Sequence, residues 1–163
     1  MKDIKYELTV SALMKYQDSM YRLAMSTVKD RDAALDVVQE ASLKALEHYK
    51  GLRSPDSIKS WLFRIVVNEA LKHLASVRRE SPGEKELPED SYHEPAYDRE
   101  GEEVYAAVMR LPEQLRLVIL LRYYEDLSLR EISEVTGINI NTVKSRLYAA
   151  HKKLGADIKE EYL

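Results

Sequence analysis

From Gly137 to Ala156 the chain carries no acid, while Lys144, Arg146, Lys152 and Lys153 are basic. On a helical wheel Asn141, Ser145, Tyr148 and Lys152 fall on one face, with Lys144 and Arg146 on its flanks. Cations attract a phosphate backbone, and small polar residues leave room to approach base edges in the major groove. Lys152 and Lys153 could simply complement the negative end of a helix. Lys144 and Arg146 cannot, because they stand in the first turns, where a helix disfavours cations. DNA binding accounts for all of them.

That face must be held by two short helices and a tight turn, written LSLREISEVTGININTVKSRLYAAHKKL over residues 127–154. Ser128 with Glu131 three residues later fits a capping box. Ile132 and Val135 supply an apolar stripe, and Gly137 ends the helix by taking the left-handed conformation. Asn141 is expected to cap the second helix. Val143, Leu147, Ala150 and Leu154, at i, i+4, i+7 and i+11, are expected to be its buried side. Helix, glycine-containing turn and helix make the helix-turn-helix pattern.

The net charge of −3 looks unsuited to a DNA binder until it is located. Residues 80–103 hold ten acids against Lys85 and Arg99, about −8, which leaves the remainder near +5. This segment also holds Pro82, Gly83, Pro88, Pro95 and Gly101 and few apolar residues, so it is expected to be a flexible acidic linker. As a coil its ends would lie roughly 27 Å apart. The 163 residues thus divide into 1–79, the linker 80–103, and 104–163.

The first part reads as helices throughout. Residues 8–29 fit a helix or helix pair with Leu13, Tyr16, Met20, Leu23, Ala24 and Thr27 in period. A helix over 33–49 is expected to bury Ala34, Val37, Val38, Ala41 and Ala45, with Tyr49 a further candidate, and shows Asp36, Gln39, Glu40, Lys44 and Glu47 on its other face, which by charge alone is a solvated surface. A loop over 50–57 leads to a helix opened by Ser57, with Ile58, Leu62, Ile65 and Glu69 along one side and Lys59, Arg64, Asn68, Lys72, Arg78 and Arg79 as a cationic margin. Trp61 is a candidate core anchor or base-stacking residue. Asn68 is a poor mid-helix choice and is read either as a contact residue or as a buried hydrogen-bonding group. In the last part a helix over 104–111 is followed by one started by Pro112, with Leu115, Val118, Ile119, Leu120 and Leu121 as core. The fold class is all-α, two small helical bundles.

Other chemistries find little support. Without cysteine there are no disulfides or thiolate metal sites, and His48, His73, His93 and His151 lack ligand spacing. No Gly-rich phosphate loop or nucleophile elbow occurs, so neither an enzyme, a cofactor, a metal nor a small-molecule substrate is expected. No apolar run reaches spanning length and no signal sequence is seen, which makes the cytoplasm the expected location.

Three stretches, in this order, resemble the extracytoplasmic-function sigma factors of bacterial RNA polymerase. DAALDVVQEASLKAL at 32–46 resembles the family's region 2.2, SIKSWLFRIVVNEAL at 57–71 its regions 2.3 and 2.4, and 111–147 its region 4. The resemblance implies a promoter-specificity subunit. Asp36, Gln39, Glu40 and Lys44 would dock on core RNA polymerase. The 50–57 loop with Lys59, Trp61, Arg64, Asn68, Lys72, Arg78 and Arg79 would hold the opened −10 element. Asn141, Thr142, Lys144, Ser145, Arg146, Tyr148 and Lys152 would read the −35 element of promoter DNA. The linker would run through the polymerase interior, where its acidity suits a channel built for nucleic acid. A separate anti-sigma factor, expected to be membrane-bound, would hold the protein inactive in an envelope or environmental stress response. Lys72 and Ala75 stand where the family often has Asp and Arg, and Ala149-Ala150-His151 where it often has R-A-R, so promoter preference does not carry over. The competing reading is a stand-alone helix-turn-helix regulator, which would normally need dimer symmetry.

Overall fold

The computed structural model describes residues 3–80 and 99–157. Among them every regular element is helical, so the chain is all-α. Two compact units result, the first built from the first four α-helices and the second from most of the later ones. Residues 81–98, the greater part of the expected linker, lie outside the described residues.

In the first unit the stretch expected as a helix or helix pair is a pair, α1 (Ile4–Lys15) and α2 (Gln17–Val28), separated at Tyr16. Asp3 caps α1 by accepting from the Lys5 amide. Lys29 ends α2 in the left-handed conformation, and Asp30 caps α3 (Arg31–Glu47) by accepting from the Ala33 amide at 2.9 Å. Ala34, Ala41 and Ala45 are fully buried on α3, and their small size lets α2 and the helix that follows α3 approach closely. The long α4 (Ile58–Glu80) begins one residue after Ser57, behind a 3-10 turn over Pro55–Ser57. Leu62, Phe63, Val66, Val67 and Ala70 fill the core from α4. Tyr16 meets Phe63 edge to face at 5.7 Å, and the Lys59 ammonium lies 5.7 Å from each of their ring centres.

Glu69 departs from its expected neighbours. It was grouped with the apolar side of its helix, and it is buried there, but as an ion: its carboxylate pairs with the Lys44 ammonium from α3. Hydrogen bonding to Glu69 raises the Lys44 pKa, which favours the charged ammonium. A buried carboxylate requires such a partner.

The second unit starts earlier than its sequence suggests. Helix α5 (Arg99–Arg110) begins five residues inside the segment expected as linker. Glu is a good helix former and is favoured near a helix N-terminus, which Glu102 and Glu103 exploit. Pro112 stands at the N-cap of α6 (Glu113–Ile119) rather than in its first turn. Leu120 and Leu121 are buried as expected, yet they belong to a π-helical turn over Leu120–Tyr124, closed by the Glu125 amide donating to the Leu120 carbonyl at 3.1 Å. Asp126 then takes a left-handed φ of 56°, and the Arg122 guanidinium holds the Leu127 carbonyl at 2.9 Å. This wide turn delivers the chain to α7 (Leu129–Thr136) and α8 (Ile140–Asp157). Burial lowers the pKa of Arg116, a buried guanidinium on α6 that reaches the Met109 carbonyl at 3.4 Å.

Candidate functional site

The helix-turn-helix forms as its residues dictate. Ser128 and Glu131 make both hydrogen bonds of the capping box, at 3.1 and 2.9 Å. Gly137 closes α7 with φ 74°, and the Ser133 hydroxyl donates across the turn to the Ile138 carbonyl at 2.6 Å. One expectation is corrected. Asn141 does not cap α8; the Asn139 side chain does, accepting from the Asn141 amide at 2.8 Å. Asn139 and Asn141 are chemically equal candidates, and α8 begins with Ile140 between them, so Asn141 lies inside the first turn.

Val143, Leu147, Ala150 and Leu154 are all buried, which turns the opposite side of α8 outward. Asn141, Lys144, Ser145, Tyr148 and Lys152 are exposed, Tyr148 most of all at 74%, while Thr142 and Arg146 are half-buried. A rigid helix thus presents polar, cationic and aromatic side chains on one acid-free face. His151 sits at its edge, with the Tyr123 hydroxyl 2.6 Å from its Nε2 and the rings edge to face. Neither of these two side chains was selected from the sequence, since they come from stretches 28 residues apart.

In the first unit, Arg64, Asn68, Lys72, Arg78 and Arg79 are exposed along α4. Exposure of Asn68 disposes of its reading as a buried hydrogen-bonding group. Trp61 and Lys59 are half-buried, and Lys59 lies against Tyr16 and Phe63. Before α4 the loop is anchored by Leu52, 1% exposed, and leaves Arg53, Ser54, Pro55 and Asp56 outward. Arg53 was not singled out from the sequence; a lone apolar residue inside a polar loop was its only signal.

On α3 Asp36, Gln39 and Glu40 are exposed together, and Leu35 and Leu43 extend the same face at 49% and 50% exposure. Lys44, grouped with this face from the sequence, is half-buried and turned to Glu69 of α4. Among the described residues no cluster of His, Asp and Glu is arranged to hold a metal ion, and no helix is long and apolar enough to cross a membrane.

Residues 12–80 match the family model described as Sigma-70 region 2, and residues 101–154 that of Sigma-70, region 4. RNA polymerase sigma factor SigV of Bacillus subtilis (strain 168) is 37% identical over 156 residues, covering 96% of this chain and 94% of that protein. The ECF RNA polymerase sigma-E factor of Haemophilus influenzae is 30% identical over 155 residues, covering 86% of this chain and 82% of that one. The chain belongs to the extracytoplasmic-function sigma factors. Sigma factors are transcription initiation factors, not enzymes. The fold of this sigma factor agrees with that of the sigma factor RpoE from Bartonella quintana, solved in complex with the anti-sigma factor NepR, at a TM-score of 0.80 and 24% identity over 92% of this chain and 96% of that one. It also resembles CnrH, solved in complex with the cytosolic domain of CnrY, at a TM-score of 0.63 and 21% identity over 94% of this chain and 96% of that one.

Proposed function

We propose that this sigma factor directs core RNA polymerase to promoters by reading two DNA elements with its two units. The observation that carries the proposal is the acid-free outer face of α8. Its buried stripe fixes the helix, and its outward residues match a major-groove reader: Lys144, Arg146 and Lys152 for phosphates or guanines, and Asn141, Ser145 and Tyr148 for base edges. This face reads the −35 element as duplex. In the first unit, the 50–57 loop and α4 hold the unpaired −10 strand. Trp61 offers a stacking surface, Asn68 a hydrogen-bonding group, and Lys59, Arg64, Lys72, Arg78 and Arg79 a cationic margin along the strand. Unstacking a base costs a few kcal/mol, and stacking on an aromatic ring returns about 1–3 kcal/mol.

The exposed Asp36, Gln39 and Glu40 form the surface for core polymerase. Lys44 contributes mainly by holding α3 to α4, since its ammonium faces Glu69. The solved complexes of RpoE with NepR and of CnrH with CnrY support control by an anti-sigma factor, which we extend to a membrane-bound partner in an environmental or envelope stress response. The site of action is the cytoplasm, where promoter DNA and polymerase are found.

The test is binding of the full chain to core RNA polymerase, followed by run-off transcription from a promoter library. Tight binding with selective initiation is expected, and the selected promoters should show two separated motifs. No binding to polymerase, together with sequence-specific binding of duplex DNA by the protein alone, would instead favour a stand-alone regulator.

A further inference from the structure

The loop between α3 and α4 is unusually well fixed for a segment that buries only Leu52. A first 3-10 turn spans Tyr49–Gly51, with the Gly51 amide donating to the His48 carbonyl at 2.9 Å and the Leu52 amide to the Tyr49 carbonyl at 3.1 Å. At the far end the Ser57 hydroxyl donates to the Ser54 carbonyl at 2.9 Å. Residues 53–56 project outward between these two anchors.

The near anchor is held from outside by the first turn of α1. The Tyr6 ring meets the Tyr49 ring edge to face, with centres 5.3 Å apart and planes at 78°. The Lys5 ammonium donates to the Lys50 carbonyl at 3.4 Å. Asp3, which caps α1, also lies beside the Tyr49 phenol; partial burial and then this carboxylate raise the phenol pKa, so the ring stays neutral. This turn adds little to the core of its unit. Ile4 is 71% and Tyr6 44% exposed, and the buried residues of α1, Thr9 and Ala12, come later in the helix. Of the apolar side chains in this turn, Ile4 stays in water and Tyr6 sets its ring against the loop, so the turn serves the loop more than the core.

We propose that Lys5 and Tyr6 are positioning residues for the 50–57 loop and set how selectively it accepts an unpaired base of the −10 element. This rests on the reading of that loop given above. Neither side chain need touch DNA. An edge-to-face pair fixes the angle of Tyr49, Tyr49 opens the turn that seats Leu52, and Leu52 sets where residues 53–56 stand. Loosening the pair lets the loop sample several positions, so it accepts right and wrong bases more equally.

The experiment uses the full chain with core polymerase on fork-junction promoter DNA, varying each unpaired −10 base through all four identities. The readout is the ratio of open-complex formation for the best and worst base. Tyr6→Ala should reduce that ratio about 3- to 10-fold, the range expected for loss of one aromatic pair, and Lys5→Ala, which removes one long exposed hydrogen bond, about 2-fold. Tyr6→Phe keeps the ring pair and should restore the wild-type ratio. Affinity for polymerase and for duplex −35 DNA should be unchanged in all three. Lys5 is exposed, so its variant tests the idea even where Tyr6→Ala lowers stability. Equal loss for all four bases, or an unchanged ratio in both alanine variants, would overturn the positioning role. A loop variant, Ser54→Ala with Arg53→Ala, separates the two levels. If it alters selectivity and the α1 variants do not, the positioning role fails and the loop reading stands. If the loop variant too leaves selectivity untouched, the loop reading fails and takes the positioning role with it.

Discussion

The two helices proposed to face DNA, α8 and α4, would solve different problems with different amounts of help. Helix α8 carries its whole proposed recognition surface on one face, set by four buried residues on its back and a single asparagine cap. Helix α4 carries only part of one. The rest lies on the loop before it, which a ring contact from α1 holds, while an ion pair ties α4 to α3. Duplex DNA presents a fixed groove, so a fixed helix suffices to read it. An opened strand has no fixed shape, and on the proposed reading the protein supplies that shape by holding loop and helix together. The burden of order therefore falls more heavily on the first unit.

The largest separation of the two should come from the core. Phe63→Ala, at a fully buried position on α4, should cost about 3–5 kcal/mol. Thermal unfolding should show the loss, while −35 duplex binding through α8 should persist. Duplex binding that fell with the first unit would break the contrast. A smaller effect is expected from Trp61→Ala or Asn68→Ala. Loss of a stacking or edge contact of about 1–3 kcal/mol should slow promoter opening by roughly 5- to 150-fold, with little change in duplex −35 affinity. Permanganate footprinting of the opened strand beside a gel-shift of the duplex would measure both, and equal losses would count against the assigned division.

On the other side of the comparison, Lys144→Ala with Arg146→Ala should weaken duplex binding and lower the magnitude of its salt slope by about 2 if both contact phosphates. A slope that falls by less, with altered base preference, would assign one of them to a base edge. The smallest effect should be Gly137→Ala. Forcing a Cβ into φ 74° should cost about 1 kcal/mol, read as a lowered unfolding midpoint, with open space around the new methyl.

The same contrast governs what could be read from the sequence. The helix-turn-helix is specified by neighbours: Ser128 with Glu131, Gly137 at the turn, and the 143–147–150–154 stripe all act within a few residues. Even the misplaced cap was local, since two asparagines flank Ile140 and only the backbone decides between them. The shaping of the first unit is specified at a distance. Lys5 meets Lys50 across 45 residues, and Lys44 meets Glu69 across 25, and no periodicity announces either. Glu69 could be placed on the inward side of α4 by its phase, but its partner had to be found on another helix. The early start of α5 was hidden for another reason: the acids that mark residues 99–103 as linker are also good residues for the first turn of a helix.

The Lys44–Glu69 pair also constrains how this unit can change over generations. Replacing Lys44 alone strands a buried carboxylate, and replacing Glu69 alone removes the counter-ion that draws Lys44 inward, so each single step costs more than the paired change to two well-packed apolar residues. The two positions should therefore be inherited as a couple. A lineage that holds both is caught between neighbours of lower fitness, and relatives should show either the ion pair or an apolar pair, and seldom one half of each.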